Sequence, residues 1–254
     1  MANAWFRFYA ELNLFVAPRH RQCCFEHACS RDASVKHMIE AFGVPHTEVA
    51  MILVDSQAVD FSHRLREQER VSVYPHFAAL APDAALPLSL QPPGPTVFVA
   101  DAHMGRLARD LRMLGFDVLY RNDFADEEIV RLAVQEERIV LTRDRDLLMR
   151  KTIARGCYVY PTASDAQLLE VMRRYQLAGQ ARPLSRCLDC NGLLEAVPKD
   201  AVEQQLPAHS AACQNDFRRC NACGHVYWNG SHAARMRKRI ANLLEVACAN
   251  MLAT

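Results

Sequence analysis

Long apolar runs are missing from this 254-residue chain; the longest clean one is Val49 to Val54, and a helical membrane span takes about 20 residues. The N-terminus, Met-Ala-Asn-Ala-Trp-Phe-Arg-Phe, has neither a basic n-region nor an apolar h-region, so a cytoplasmic location without a membrane partner is expected. Excess charge of one sign is also missing. Thirty Lys and Arg against 29 Asp and Glu leave a formal net charge of +1, so nucleic-acid contact has to come from a local patch. Lysine is scarce, with four in the chain, and arginine is the better phosphate binder. The turn after the first strand of the α/β region reads Asp101-Ala-His-Met-Gly105-Arg. It lacks the glycines of G-x-G-x-x-G and puts a carboxylate where a pyrophosphate would lie. No Walker lysine motif and no G-x-S-x-G elbow occurs, which argues against P-loop and α/β-hydrolase chemistry.

What is present is ordinary globular usage, 50% hydrophobic and 23% charged. Residues 1–80 read as a small α+β unit. Trp5 to Tyr9 alternates as a strand, Gln22 to Ala28 returns after a turn near Pro18, and a helix from Ser34 to Phe42 closes at Gly43 and Pro45. Val49 to Val54 and Val71 to Tyr74 supply two more strands. Two strands, a helix and two strands is the order of a β-grasp. Residues 81–95 hold Pro82, Pro87, Pro92, Pro93 and Pro95 and read as a linker. Residues 96–182 alternate strand and helix: strands at 96–100, 116–120, 139–142 and 157–160, helices at 104–114, 127–136, 147–155 and 166–177. That pattern predicts a parallel sheet with helices on both faces and ligands at the carboxyl ends of its strands. Residues 183–254 hold paired cysteines and a closing helix near 232–248.

Ten cysteines in a reducing compartment suggest metal ligands or buried thiols rather than disulfides. Cys187-Leu-Asp-Cys190-Asn-Gly192 and Cys220-Asn-Ala-Cys223-Gly224 are two knuckles with matched spacing. Each puts two thiolates on one tight turn, with a glycine to permit it, and together they predict a closed, structural Zn²⁺ site. His209, Cys213 and His225 lie nearby but sit in no knuckle. The motif His46-Thr-Glu48 is not a nucleobase deaminase signature, because Arg186 stands where a proline would precede the first cysteine.

A second constellation is acidic. Asp101 follows the first α/β strand, Asp144 and Asp146 follow the third, and Asp126 precedes a helix. Carboxylates gathered at strand ends suit Mg²⁺ or Mn²⁺, which activates water for attack on a phosphodiester. Asp126 and Asp146 equally suit helix capping, whereas Asp101 and Asp144 end buried strands and point to a metal. A third constellation is Tyr227-Trp228 followed by Arg235, Arg237, Lys238 and Arg239. Aromatics beside cations suit single-stranded nucleic acid, although the apolar stripe Met236, Ile240, Leu243 and Leu244 also allows a solvated helix face.

Together these residues resemble a known family. Phe98-Val-Ala-Asp101 through Gly115, Leu141-Thr-Arg-Asp-Arg-Asp146, and the two knuckles with Tyr227-Trp228-Asn-Gly-Ser-His232 look like the Mut-seven C-terminal RNase family. Ile39 to Val49 resembles the ubiquitin-like domain often found ahead of it. The resemblance implies an α/β fold in which a PIN-like parallel-sheet domain carries a C-terminal zinc ribbon and follows a small α+β β-grasp domain. It also implies a Mg²⁺- or Mn²⁺-dependent ribonuclease with Asp101, Asp126, Asp144 and Asp146 as its acidic set, RNA as substrate, and a possible protein partner for the β-grasp domain. Pro75-His76-Phe77 runs on into the linker where a sulfur carrier would end in a free Gly-Gly, so sulfur transfer is not expected. The alternative is a non-catalytic RNA-binding or adaptor protein.

Overall fold

The computed structural model describes residues 2–30, 32–76, 91–206 and 215–252. The expected linker falls outside the described residues up to position 90, as do His209 and Cys213. The N-terminal region comprises β1 (Ala2–Phe8), β2 (Phe25–Cys29), α1 (Val35–Ala41), β3 (Val49–Val54), β4 (Gln57–Val59) and β5 (Arg70–Pro75). The α/β region follows with β6 (Phe98–Ala100), α2 (Gly105–Met113), β7 (Val118–Tyr120), α3 (Asp126–Gln135), β8 (Ile139–Thr142), α4 (Arg145–Leu148), β9 (Gly156–Tyr158) and α5 (Ser164–Arg174). Then come β10 (Leu194–Val197), β11 (Phe217–Cys220), β12 (Val226–Trp228) and α6 (Ser231–Leu252).

The chain divides into two compact units, Met1–Pro95 with Ala125–Val159, and Thr96–Phe124 with Tyr160–Thr254. In the first, β1 to β5 form a sheet of order β2-β1-β5-β3-β4, with β1 and β5 parallel. Period-two alternation sends Ala4, Phe6 and Phe8 into the core. There they meet Val35, Met38 and Ile39 of α1. Ser34 caps that helix by accepting from the His37 amide, and Gly43 ends it at φ +90°. The structure adds a strand to the expected four. Strand β4 returns from β3 through Asp55 and Ser56, whose φ values are 47° and 69°. Two positive-φ residues make the turn that suits a two-residue hairpin, but no Asn-Gly advertises it.

This first unit also holds the parallel pair β8 and β9, with Val140 opposite Gly156. Buried polar residues of the segment before β3 hold β9 in place. Glu48 accepts from the Tyr158 amide at 2.8 Å, and His46 Nε2 donates to the Ile153 carbonyl at 2.7 Å. Gln91 bridges the Thr47 and Gly156 carbonyls. The helix expected at 147–155 is corrected to the single turn Arg145–Leu148.

In the second unit β6 and β7 pair in parallel, Phe98 opposite Val118. Both parallel pairs are those of a parallel-sheet α/β domain. Helix α2 buries Leu107, Ala108 and Leu111 and ends at Gly115, φ +92°. A Cβ there would lie 2.1 Å from the Arg182 carbonyl oxygen, so only glycine fits. Strands β10, β11 and β12 form an antiparallel sheet in that order, over a small core of Val202, Phe217 and Val226.

Candidate functional site

The two knuckles flank the antiparallel sheet of the second unit. In the first, the Asn191 amide donates to the Cys187 carbonyl and the Cys187 amide to the Gly192 carbonyl. In the second, the Gly224 amide donates to the Cys220 carbonyl and the Cys220 amide to that of His225. Gly224 has φ +75°, as the turn requires, but in the first knuckle the positive φ, 72°, falls on Asn191 instead of Gly192. Gly192 is needed for a different reason: a Cβ there would sit 2.7 Å from Cys220 Sγ.

Cys187 and Cys223 Sγ lie 3.7 Å apart, Cys190 and Cys220 Sγ 3.3 Å apart, and all four lie within 4.8 Å of one another. A tetrahedron of Zn–S bonds near 2.3 Å has edges of about 3.8 Å, so the cluster fits a zinc ribbon. Burial raises the Cys190 thiol to about 12, and its sulfur neighbours reinforce the rise. Burial raises Cys220 too, but the amides of Cys223 and Ala222, together with the Cys190 and Cys223 thiols, outweigh it and bring the thiol to about 7. A bound cation would deprotonate the set outright.

The first knuckle is anchored by residues whose anchoring role sequence reasoning missed. Arg112 of α2 is 3% exposed. Its Nε and Nη2 donate to the Val118 carbonyl, and its Nη1 donates to those of Leu188 and Asp189 at 3.1 and 2.7 Å. Asn191 donates to Asp117 and accepts from the Val118 amide. The Tyr227 hydroxyl accepts from the Leu188 amide and contacts Cys187 Sγ at 3.2 Å; burial, with the Cys187 bond, pushes that phenol above its ordinary value. Nothing in a local window signals these roles, because apart from Val118, close to Arg112 in the chain, every partner is distant in sequence.

The acidic residues divide between the units. Asp101, buried, follows β6 in the second unit. The other three belong to the first. Asp144 caps α4, its Oδ1 accepting from the Asp146 and Leu147 amides at 2.7 and 3.3 Å. Asp126 is the first residue of α3, after an N-cap at Ala125, and meets Arg150 at 3.5 Å. Asp146 is exposed and pairs with Arg145. The cap of α4 open to Asp146 therefore falls to Asp144, while Asp126 stands inside α3 with Ala125 at its cap position. Among the described residues, the four cysteines are the sole group of three or more ligating side chains so gathered.

On α6, Arg235 and Lys238 are exposed and Trp228 is half-buried. Arg239 is committed elsewhere. It grips buried Asp110 through two bonds of 2.7 and 2.8 Å and also meets Asp165, which raises its pKa above the ordinary value. Its guanidinium thus holds the helix to α2 and α5, a structural reason that corrects its reading as a phosphate ligand.

A β-grasp sheet, parallel strand pairs and a four-cysteine ribbon define an α/β protein with an N-terminal ubiquitin-like domain and a zinc-ribbon-type cluster. Residues 96–240 match the Mut7-C RNAse domain and residues 1–81 the Mut7-C ubiquitin domain, and the chain belongs to the Mut7-C RNase domain family. The solved structure described as "Crystal structure of H. volcanii small archaeal modifier protein 1" is similar at 15% identity and a TM-score of 0.24, over 30% of this chain and 98% of that one. No curated protein matches the chain. Among the described residues, no helix is long and apolar enough to cross a membrane.

Proposed function

We propose that the protein is a divalent-metal-dependent ribonuclease. The observation that carries this reading is the family match over residues 96–240. Asp101 and Asp144, each just beyond the carboxyl end of a buried parallel strand, would supply hard oxygen ligands suited to Mg²⁺ or Mn²⁺, with Asp126 and Asp146 assisting. A divalent ion so held activates water and neutralises charge on the phosphodiester. Tyr227, Trp228, Arg235 and Lys238 would contact RNA, and the ribbon would hold a structural Zn²⁺. The ubiquitin-like domain would dock a protein partner. The domain bounds that serve this reading are 1–80, 81–95, 96–182 and 183–254, in the cytoplasm. Asp101→Asn tests it: the variant should fold, keep its zinc and lose RNA cleavage in Mg²⁺, whereas cleavage at the wild-type rate refutes the site.

Zinc is tested separately. Protein purified without added zinc should carry close to one ion per chain, and Cys187→Ser should lose it and destabilise the second unit. A stoichiometry near zero in well-folded protein overturns the ribbon's metal. One observation favours a second reading, an RNA-binding adaptor without catalysis: Asp126, Asp144 and Asp146 already have partners within the first unit. In that case neither wild type nor Asp101→Asn cleaves RNA, yet both bind it with strong salt dependence.

A further inference from the structure

The apolar stripe of α6 is only half used for packing. Ile240 and Leu243 are buried at 4% and 6% exposure, but Met236 and Leu244 remain partly open. They line a cleft of about 380 Å³ in the second unit, together with Leu188 and the half-buried ring of Trp228. Three arginines, Arg186, Arg218 and Arg237, share the lining with one carboxylate, Asp216. Counting Asp117, which pairs with Arg186, three positive charges against two negative leave a net +1 around an apolar floor.

We infer that this cleft receives an unpaired nucleobase of an RNA strand, with the adjoining phosphates on Arg218 and Arg237. The inference rests on the ribonuclease reading and adds where, and in what form, the strand is held. Four observations select this occupant. An aromatic ring offers a stacking face that any base can use. The cationic rim complements a polyanion and disfavours a cationic ligand. The volume lies within the range of sites for small organic groups. Arg186 already pairs with Asp117 at 3.2 Å and Arg237 with Asn229, so the rim is preordered. A base inside a duplex has both faces covered by its neighbours and cannot enter, so the cleft selects single strands.

The test uses the full zinc-loaded chain and a 5′-fluorescein 12-nucleotide single-stranded RNA, with anisotropy titrations in Ca²⁺ to suppress turnover. Trp228→Ala should weaken binding by about 5- to 150-fold, the range for loss of one stacked base. Ala241→Leu, which narrows the cleft from an exposed helix position, should also weaken it and guards against a folding defect in the tryptophan variant. The same sequence annealed to its complement should bind wild type more weakly and be insensitive to both changes. Binding by both variants within twofold of wild type overturns the cleft proposal. If Asp101→Asn abolishes cleavage while both cleft variants bind normally, the cleft proposal alone fails. If wild type binds and cleaves no RNA, the ribonuclease reading fails and takes the cleft with it.

Discussion

Arg112→Met is the substitution whose cost the structure defines best. The guanidinium is buried and serves three main-chain carbonyls, Val118, Leu188 and Asp189. Burial lowers its pKa from the ordinary value, while Cys187, Cys190 and nearby carboxylates oppose that, and a guanidinium stays a cation in proteins. Methionine fills much of the volume but donates nothing. Leaving a buried carbonyl unpaired costs about 1–3 kcal/mol each, and release of the desolvated cation returns part of that. A net loss of about 3–5 kcal/mol follows, the range for breaking one side of a buried charged network. Because the Leu188 and Asp189 carbonyls sit inside the first knuckle, the loss should appear as zinc released at lower urea than in wild type. Arg112→Lys keeps the charge but not the planar fork and should recover less than half of the shift. The assay is zinc content and near-UV circular dichroism across a urea series. A methionine variant that costs under about 1 kcal/mol and holds zinc to the wild-type midpoint would show that the arginine does not organise the knuckle.

Asp144 can be asked to separate capping from catalysis. Asparagine caps about as well as aspartate, while alanine costs about 1 kcal/mol, so Asp144→Asn should keep wild-type thermal stability and lose cleavage, and a fully active Asp144→Asn removes it from the metal site. The first unit should also lose stability on acidification. Burial lowers the His46 pKa below 6.5, Lys36 adds to the lowering, and the Ile153 carbonyl bond and Glu40 oppose it. The unfolded chain therefore binds the proton more readily, so this contribution is present above pH 6.5 and fades as pH falls through the lower folded value. His46→Gln, which keeps a donor for Ile153, should flatten the melting temperature between pH 7.5 and 5.5, and an unchanged slope would exonerate the imidazole.

What the sequence conveyed and what it hid follow one physical divide. Alternation in β1, the 3.6-residue stripe of α2 and the knuckle spacing are local signals, and each led to the right element. Roles set by distant partners had no such signal. Glu48 and His46 sit in the stretch that resembles the ubiquitin-like domain, yet their bonds go to Tyr158 and Ile153, more than a hundred positions away. Arg239 looks like one of four equivalent helix cations until Asp110, 129 positions earlier, takes it. Asp144 ends a strand and so reads as a ligand, and its second role, as cap, shows only once α4 is seen to begin at Arg145. A polar side chain's type and spacing therefore say what it can do, and only its partners say whether it is still free to do it. Arg235 and Lys238 are exposed and Arg239 is not, so charge reversal should separate them. Arg235→Glu and Lys238→Glu should weaken RNA binding with the fold intact, while Arg239→Glu, facing two carboxylates, should unseat α6 before RNA is ever offered.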